Sequence, residues 1–356
     1  MLRQWIHFGI SALVSVCIFL VGLALVRQFT AKAYEQGKQM GRDITTELPA
    51  ASKEVTIVEG ASVGDVAKTL QEDGIISSAL FFQLENMLKG NSKPYPGGTY
   101  TLSTNMDVHD INQILYGNSN AVSDKTLTIP EGYTLQNIAE RLESLELMPA
   151  NDFAAACKDG FAGYQSKYSF LKDLPERQNP LEGYLFPDTY FVLQNPTPDQ
   201  IITKMLDQFE NIYTAEYKAR ADELSLTTDQ VVTLASIVEK EFTNADERPK
   251  GARVLLNRLE ADMCLEMPST LRYVVQKQTL SASDYKTDSP YNTYVHKGLP
   301  AGPICNPSED CIKAVLYAEE GDWLYAVLKD SETQTFVFTA DKAEYKAAKE
   351  TYKDVK

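Results

Sequence analysis

Histidine and positive charge are scarce in this sequence. Its 356 residues include three histidines (His7, His109 and His296) and 34 lysines and arginines against 49 aspartates and glutamates, a net charge of -15. The histidines stand far apart and no HExxH, CxxC or paired His/Cys spacing occurs, so no structural or catalytic zinc is expected. The acidic balance argues against nucleic acid, whose phosphates need a basic surface, and equally against anionic lipid headgroups. A glycine-rich phosphate loop is also missing: Gly97-Gly98 reads as a turn before a strand. Cysteine is limited to Cys17, Cys157, Cys264, Cys305 and Cys311. The spacing of Cys305 and Cys311 permits a small bridged loop, but geometry decides whether it forms.

What is present suits two moderate domains, each able to bury a core. From Ile6 to Val26 the chain is uncharged and mostly apolar, long enough to cross about 30 Å of hydrocarbon. We read it as an uncleaved membrane span, because it exceeds a signal peptide's apolar run and no small-x-small cleavage site follows directly. Arg3 lies on one side and Arg27, Lys32, Lys38 and Arg42 on the other, so flanking charge does not place the rest of the chain outside the cell and even favours the opposite. The reading gives a tail and transmembrane helix (1–28), a polar stalk (29–54), a small α+β unit (55–122) and a larger α+β domain (123–356).

In the small unit, Val55 to Val58 reads as a strand, Ser62 caps a helix through Leu70, a second helix runs from Ser77 to Leu88, Pro94 to Ser103 gives a turn and strand, and a helix covers 108–116. The segment Val58 to Ile76 (VEGASVGDVAKTLQEDGII) aligns without gaps on Pro130 to Met148 (PEGYTLQNIAERLESLELM), so one strand, turn and capped helix is used twice. Further on, PLEGYLFPDTY (Pro180 to Tyr190) mixes prolines, aromatics and carboxylates, as a carbohydrate site would, and equally as a rigid surface turn would. Helices follow at 198–210, 215–223 and about Thr228 to Phe242; NADERP breaks the last, with Asp246 as a candidate N-cap. Another helix carries Val254, Leu255, Arg258 and Leu259. The loop Ser289 to Pro307, fixed by four prolines, offers Tyr291, Asn292, Tyr294 and His296, and loops of this length tend to be functional. A helix (Ser308 to Ala318), a hairpin (Trp323 to Leu328 with Thr335 to Thr339) and a polar helix close the chain.

The centre is TLASIVEKE, Thr233 to Glu241. At about 100° per residue, Leu234, Ile237, Val238 and Glu241 share one face, so Glu241 heads for the core side. Glu239 projects away from it and has the easier route to water. Desolvation disfavours an ionised carboxylate, so a glutamate on an apolar face suits a general acid. The structural alternative is a carboxylate neutralised by Arg248, Arg253 or Arg258.

The ordered set PEGYTLQNIAERL, EGYLFPDTY, LASIVEKE, ERPKGARVLLNRL, SPYNTYVHKGLPAGPICNP and the LYAVL/FVFT pair resembles the YceG-like family, the membrane-anchored endolytic murein transglycosylases, over roughly residues 55–345. The resemblance implies a transmembrane helix, a LysM-like unit and an α+β catalytic domain with a glutamate-bearing helix, outside the cytoplasmic membrane. It implies a lytic transglycosylase, a carbon–oxygen lyase acting on peptidoglycan strands, working beside peptidoglycan synthases and needing no cofactor or metal. Glu241 is the catalytic residue so implied. Glu247, Arg248, Asn257, Arg258, Thr270, Tyr291, Asn292, Thr293 and Tyr294 are implied to shape the cleft. Where the family typically has LQSDPTV, this chain has LEMPSTL, Leu265 to Leu271. A glycan hydrolase using a second carboxylate (Glu182, Asp188 or Glu247) and a noncatalytic wall-binding scaffold are the competing readings.

Overall fold

The computed structural model describes residues 52–355, apart from 89–92, 105, 107, 117–124 and 193–195. The expected span, Ile6 to Val26, and nearly all of the stalk lie outside the described residues. Among the described residues no helix is long and apolar enough to cross a membrane. The chain divides into two compact units, the first ending at Asp124 and the second beginning at Lys125.

In the first unit, β1 (Ser52–Ile57) pairs antiparallel with β2 (Gly98–Ser103), Val55 opposite Tyr100. The period of two along a strand turns Val55 and Ile57 inward. Helices α1 (Val63–Glu72), α2 (Ala79–Leu88) and α3 (Val108–Leu115) close over them, burying Val66, Leu70, Phe82, Ile111 and Leu115. This small core also holds polar groups, and they satisfy one another: the Tyr95 hydroxyl donates to Asn112 Oδ1 at 2.5 Å, and Asn112 Nδ2 donates to Asn86 Oδ1 at 2.8 Å.

The second unit starts with β3 (Lys125–Thr128), paired antiparallel with β4 (Thr189–Val192), Leu127 opposite Tyr190. Between them come α4 (Leu135–Ser144), α5 (Ala150–Asp159) and α6 (Phe161–Lys167); after them α7 (Pro198–Ile212), α8 (Ala215–Glu223), α9 (Thr228–Glu241), α10 (Arg248–Glu260), α11 (Pro268–Val275) and α12 (Glu309–Leu316). A hairpin of β5 (Tyr325–Asp330) and β6 (Thr335–Thr339) and the helix α13 (Lys342–Thr351) end the chain. The architecture is α+β, with one continuous core in this unit.

Helix α9 runs through that core. A Thr227/Gln230 capping box starts it, no glycine or proline interrupts it, and every residue from Val231 to Val238 is buried, because α8, α10, α11 and α12 pack around it. Each buried Val, Leu or Ile side chain contributes roughly 1.5–3 kcal/mol. Phe242 terminates the helix by turning into a cluster with Phe336 and Phe338, leaving Glu241 as the last helical residue. Gly251 lets α10 pass over that ring; a Cβ there would come within 2.5 Å of it.

The repeated motif is a repeated local structure. Gly60 (φ 75°) and Gly132 (φ 72°) make the same left-handed turn. Ser62 and Asp65 form a capping box at the start of α1, as Thr134 and Asn137 do at the start of α4, and both helices are ten residues long. Left-handed residues, Gly74 and Glu146, then release the chain at matching positions.

Two expectations are corrected. The stretch Pro180 to Tyr190 is not a surface turn: Leu181, Tyr184 and Leu185 are fully buried and Glu182 is 1% exposed. Gly183 (φ 92°) allows this packing, since a Cβ would lie 2.5 Å from the Pro303 ring. In NADERP the capping side chain is Asn244, which accepts the Asp246 N–H at 3.0 Å; Asp246 itself is exposed.

Candidate active site

Glu241 leaves the end of α9 half-buried, and its Oε1 accepts the main-chain N–H of Ser269 at 2.7 Å. Ser269 belongs to the first turn of α11, where N–H groups have no acceptor within the helix, and the N-cap residue Met267 provides no side-chain bond. The carboxylate of one helix therefore caps the start of another. Of the three arginines that could have neutralised Glu241, Arg248 bonds the Phe242 carbonyl and lies 3.5 Å from Glu239, Arg253 reaches the carbonyls of Ala318 and Glu319, and Arg258 reaches those of Leu324, Cys264 and Leu265. None is spent on Glu241.

Glu239 is the reverse of what the helical wheel suggests. Its side chain is 7% exposed, and Oε2 accepts the N–H of Ser308 at 2.8 Å and the Ser308 hydroxyl at 2.5 Å, fastening α9 to the N-cap of α12. The wheel shows the faces of one helix; α12, packed on the face it leaves polar, is invisible to it.

The turn ahead of α11 is clamped by two buried threonines. Thr293 Oγ1 accepts the Met267 N–H at 3.0 Å, and its carbonyl accepts the Glu266 N–H at 3.0 Å. Thr270 Oγ1 donates to the Met267 carbonyl at 2.8 Å and lies 3.0 Å from Thr293 Oγ1. Between them Glu266 sits at φ 54°, a costly conformation for a non-glycine residue of the kind that collects at functional sites. Asn292, fully buried, donates to the carbonyls of Tyr285 and Thr287 and accepts the Tyr294 N–H at 3.0 Å. Tyr294 is half-buried, edge-on to Tyr285 at 4.8 Å, and its hydroxyl is pushed well up, first by burial and then by Tyr285 and the charges of Glu241 and Glu266. Tyr294 thus lies within electrostatic reach of Glu241. Tyr291, also half-buried, lies against Tyr273 with ring centres 5.1 Å apart.

The remaining candidates stand around α10. Asn257 Nδ2 donates to the carbonyls of Gly321 and Trp323, Arg258 is nearly buried, and Glu247 precedes Arg248 at the start of the helix with a buried Oε2 that has no hydrogen-bond partner. The structure thus brings Glu241 and Ser269 into contact, with Tyr294 within electrostatic reach. It commits Thr270, Asn292, Thr293, Asn257 and Arg258 to bonds within the chain. His296 is exposed, 3.8 Å from Asp288. Among the described residues no cluster of three or more His, Cys, Asp or Glu could hold a metal ion.

With this geometry in hand, the sequence profile of the YceG-like family matches residues 55–351. The chain belongs to the YceG-like family. It is 33% identical to the endolytic murein transglycosylase of Streptococcus pneumoniae over 90% of its own length, and spans 62% of that relative. It is 31% identical to the endolytic murein transglycosylase of Bacillus subtilis, with 84% of each chain covered. A yceG-like protein of Listeria monocytogenes, solved as a crystal structure, superposes with a TM-score of 0.58 at 29% identity, over 84% of this chain and 99% of that one.

In this YceG-like chain a second carboxyl lies deeper. Glu182 accepts the Leu135 N–H at 3.0 and 3.2 Å, the Tyr273 hydroxyl at 3.2 Å and Asn306 Nδ2 at 3.3 Å. Burial nevertheless raises its pKa to about 7, against the lowering effect of those bonds and of Arg177 and Lys240. Nothing in EGYLFP announces this, because the stretch has neither helical nor strand periodicity. The thiols of the YceG-like unit form no disulfide: Cys157, Cys305 and Cys311 are buried and free, and Cys264 is half-buried and free.

Proposed function

We propose that this chain is a membrane-anchored endolytic lytic transglycosylase that cuts the bond between N-acetylmuramic acid and N-acetylglucosamine in peptidoglycan strands, with Glu241 as its single acid and base. The observation that carries the proposal is the Glu241 carboxyl, held at the end of a buried helix by the Ser269 N–H. The names of the relatives at 31–33% identity support the same reaction class. Glu241 gives its proton to the bridging oxygen as the bond from muramic C1 to that oxygen breaks, releasing the 4-hydroxyl of N-acetylglucosamine. The carboxylate then takes the proton of the muramic C6 hydroxyl, whose oxygen bonds C1 of the oxocarbenium-like centre, leaving a 1,6-anhydro end without water. The half-buried rings of Tyr291 and Tyr294 are our candidates for holding the sugar rings.

A hydrolase would need a second carboxyl free to activate water or attack, and Glu182 is enclosed and already bonded to three donors. We assign residues 6–26 as the anchor, the first compact unit as LysM-like and the catalytic unit to the extracytoplasmic side. There it shortens nascent strands alongside the peptidoglycan synthases. Incubating the full chain and its Glu241→Gln form in detergent with uncrosslinked glycan strands, with mass spectrometry of the product ends, tests the reading. Anhydromuramyl ends from wild type, falling by roughly 10²–10⁴-fold or more in the variant, are expected; hydrated reducing ends, or equal activity of the two forms, would sink it.

A further inference from the structure

Ser269 is an unexpected residue to find against the candidate catalytic carboxylate. Its Oγ is buried without a hydrogen-bond partner, so the side chain supplies nothing to the contact. The main chain does, through the 2.7 Å bond from its N–H to Glu241 Oε1. A proline at position 269 would have no N–H to give. In LEMPSTL the proline stands one place earlier, at Pro268, where the first residue of α11 needs no donor.

We propose that the Ser269 main-chain N–H is a positioning group for Glu241, aimed by the Thr270–Thr293 clamp, and that the proline of this turn, standing at 268 and not at 269, leaves that N–H in place. The inference rests on Glu241 being the acid of the proposed reaction. Thr293 and Thr270 are enclosed at 1% and 0% exposure, so their hydroxyls act on the turn rather than on a sugar. They fix Met267 from both its N–H and its carbonyl, and so fix the direction of the N–H two residues on. The bond takes up Glu241 Oε1 and so fixes the orientation of the carboxyl that must meet the bridging oxygen.

Two measurements on the full chain in detergent test this. The first is independent of catalysis: hydrogen exchange at the Ser269 amide, resolved by fragmentation mass spectrometry. In Glu241→Ala this amide should exchange at least roughly tenfold faster, with the helical amides near the end of α11 unchanged, because it has no acceptor inside the helix. An unchanged rate overturns the contact. The second is the kcat and KM of anhydromuramyl end formation in Pro268→Asn/Ser269→Pro, which removes the N–H at position 269 without altering charge. Its kcat should fall at least roughly tenfold with KM nearly unchanged, and Thr293→Val should do the same while Thr293→Ser restores the wild-type kcat. A folded double variant with the wild-type kcat overturns the positioning role. A wild-type chain that yields no anhydro ends sinks the proposed function instead, and the exchange result still decides the contact.

Discussion

At the scale of single residues, three glutamates within one unit have three fates. Glu241 is legible from periodicity, because the apolar stripe of α9 carries it inward. Glu239 is not, because what encloses it is the N-cap of α12, some seventy residues later. Glu182 is less legible still, since only the packed core makes it rare. It also carries a prediction for stability. Its pKa is raised in the folded protein to about 7, so between the ordinary carboxyl value and that point the folded chain binds more protons than the unfolded one. Stability from this group is therefore full below about pH 4.5 and declines until about pH 7, by an amount on the order of 3 kcal/mol. Glu182→Gln, which cannot ionise, should flatten the change between pH 5 and pH 8 in urea unfolding; an unaltered slope would mean that other groups set it.

At the scale of elements, capped helices were the most readable features, because Ser62 announces the start of α1, the internal repeat that of α4, and apolar periodicity the faces. The short helices α5, α6 and α11 were not. The sequence of α11, PSTLRYVV, is rich in residues that suit strands, and tertiary contacts with α9 and the following loop override that preference. The strand β4 was hidden by the prolines and glycine before it. The repeated turn allows a comparison. Gly60→Ala and Gly132→Ala each force a side chain into the left-handed region, at a cost of roughly 1–2 kcal/mol. A Cβ at Gly60 meets open space, whereas one at Gly132 would lie 3.3 Å from Lys240 Nζ and 3.4 Å from Glu239 Cγ, in a turn crowded by a lysine that must give way and a glutamate tied to Ser308. Thermal unfolding should show Gly132→Ala as the more damaging of the two. Equal losses would show that Glu239 yields more readily than its bonds suggest.

At the scale of the whole molecule, the α+β class and the order of elements could be read, while the closure of the second core around Pro180 to Phe186 could not. Its residues touch α9 and the segment near Pro303 only after the chain has folded back across more than a hundred positions. The same unit holds three enclosed thiols, one on α5, one before α12 and one on α12, and burial drives the pKa of each well up. The described part of the first unit has no cysteine. With Cys17 and Cys264 replaced by serine, alkylation of the full chain should proceed at one common slow rate at all three positions, rising together with denaturant. Three unequal rates would mean that the unit opens piecemeal. The thiols therefore serve as a clock wired to one half of the protein, ticking only when that half comes apart.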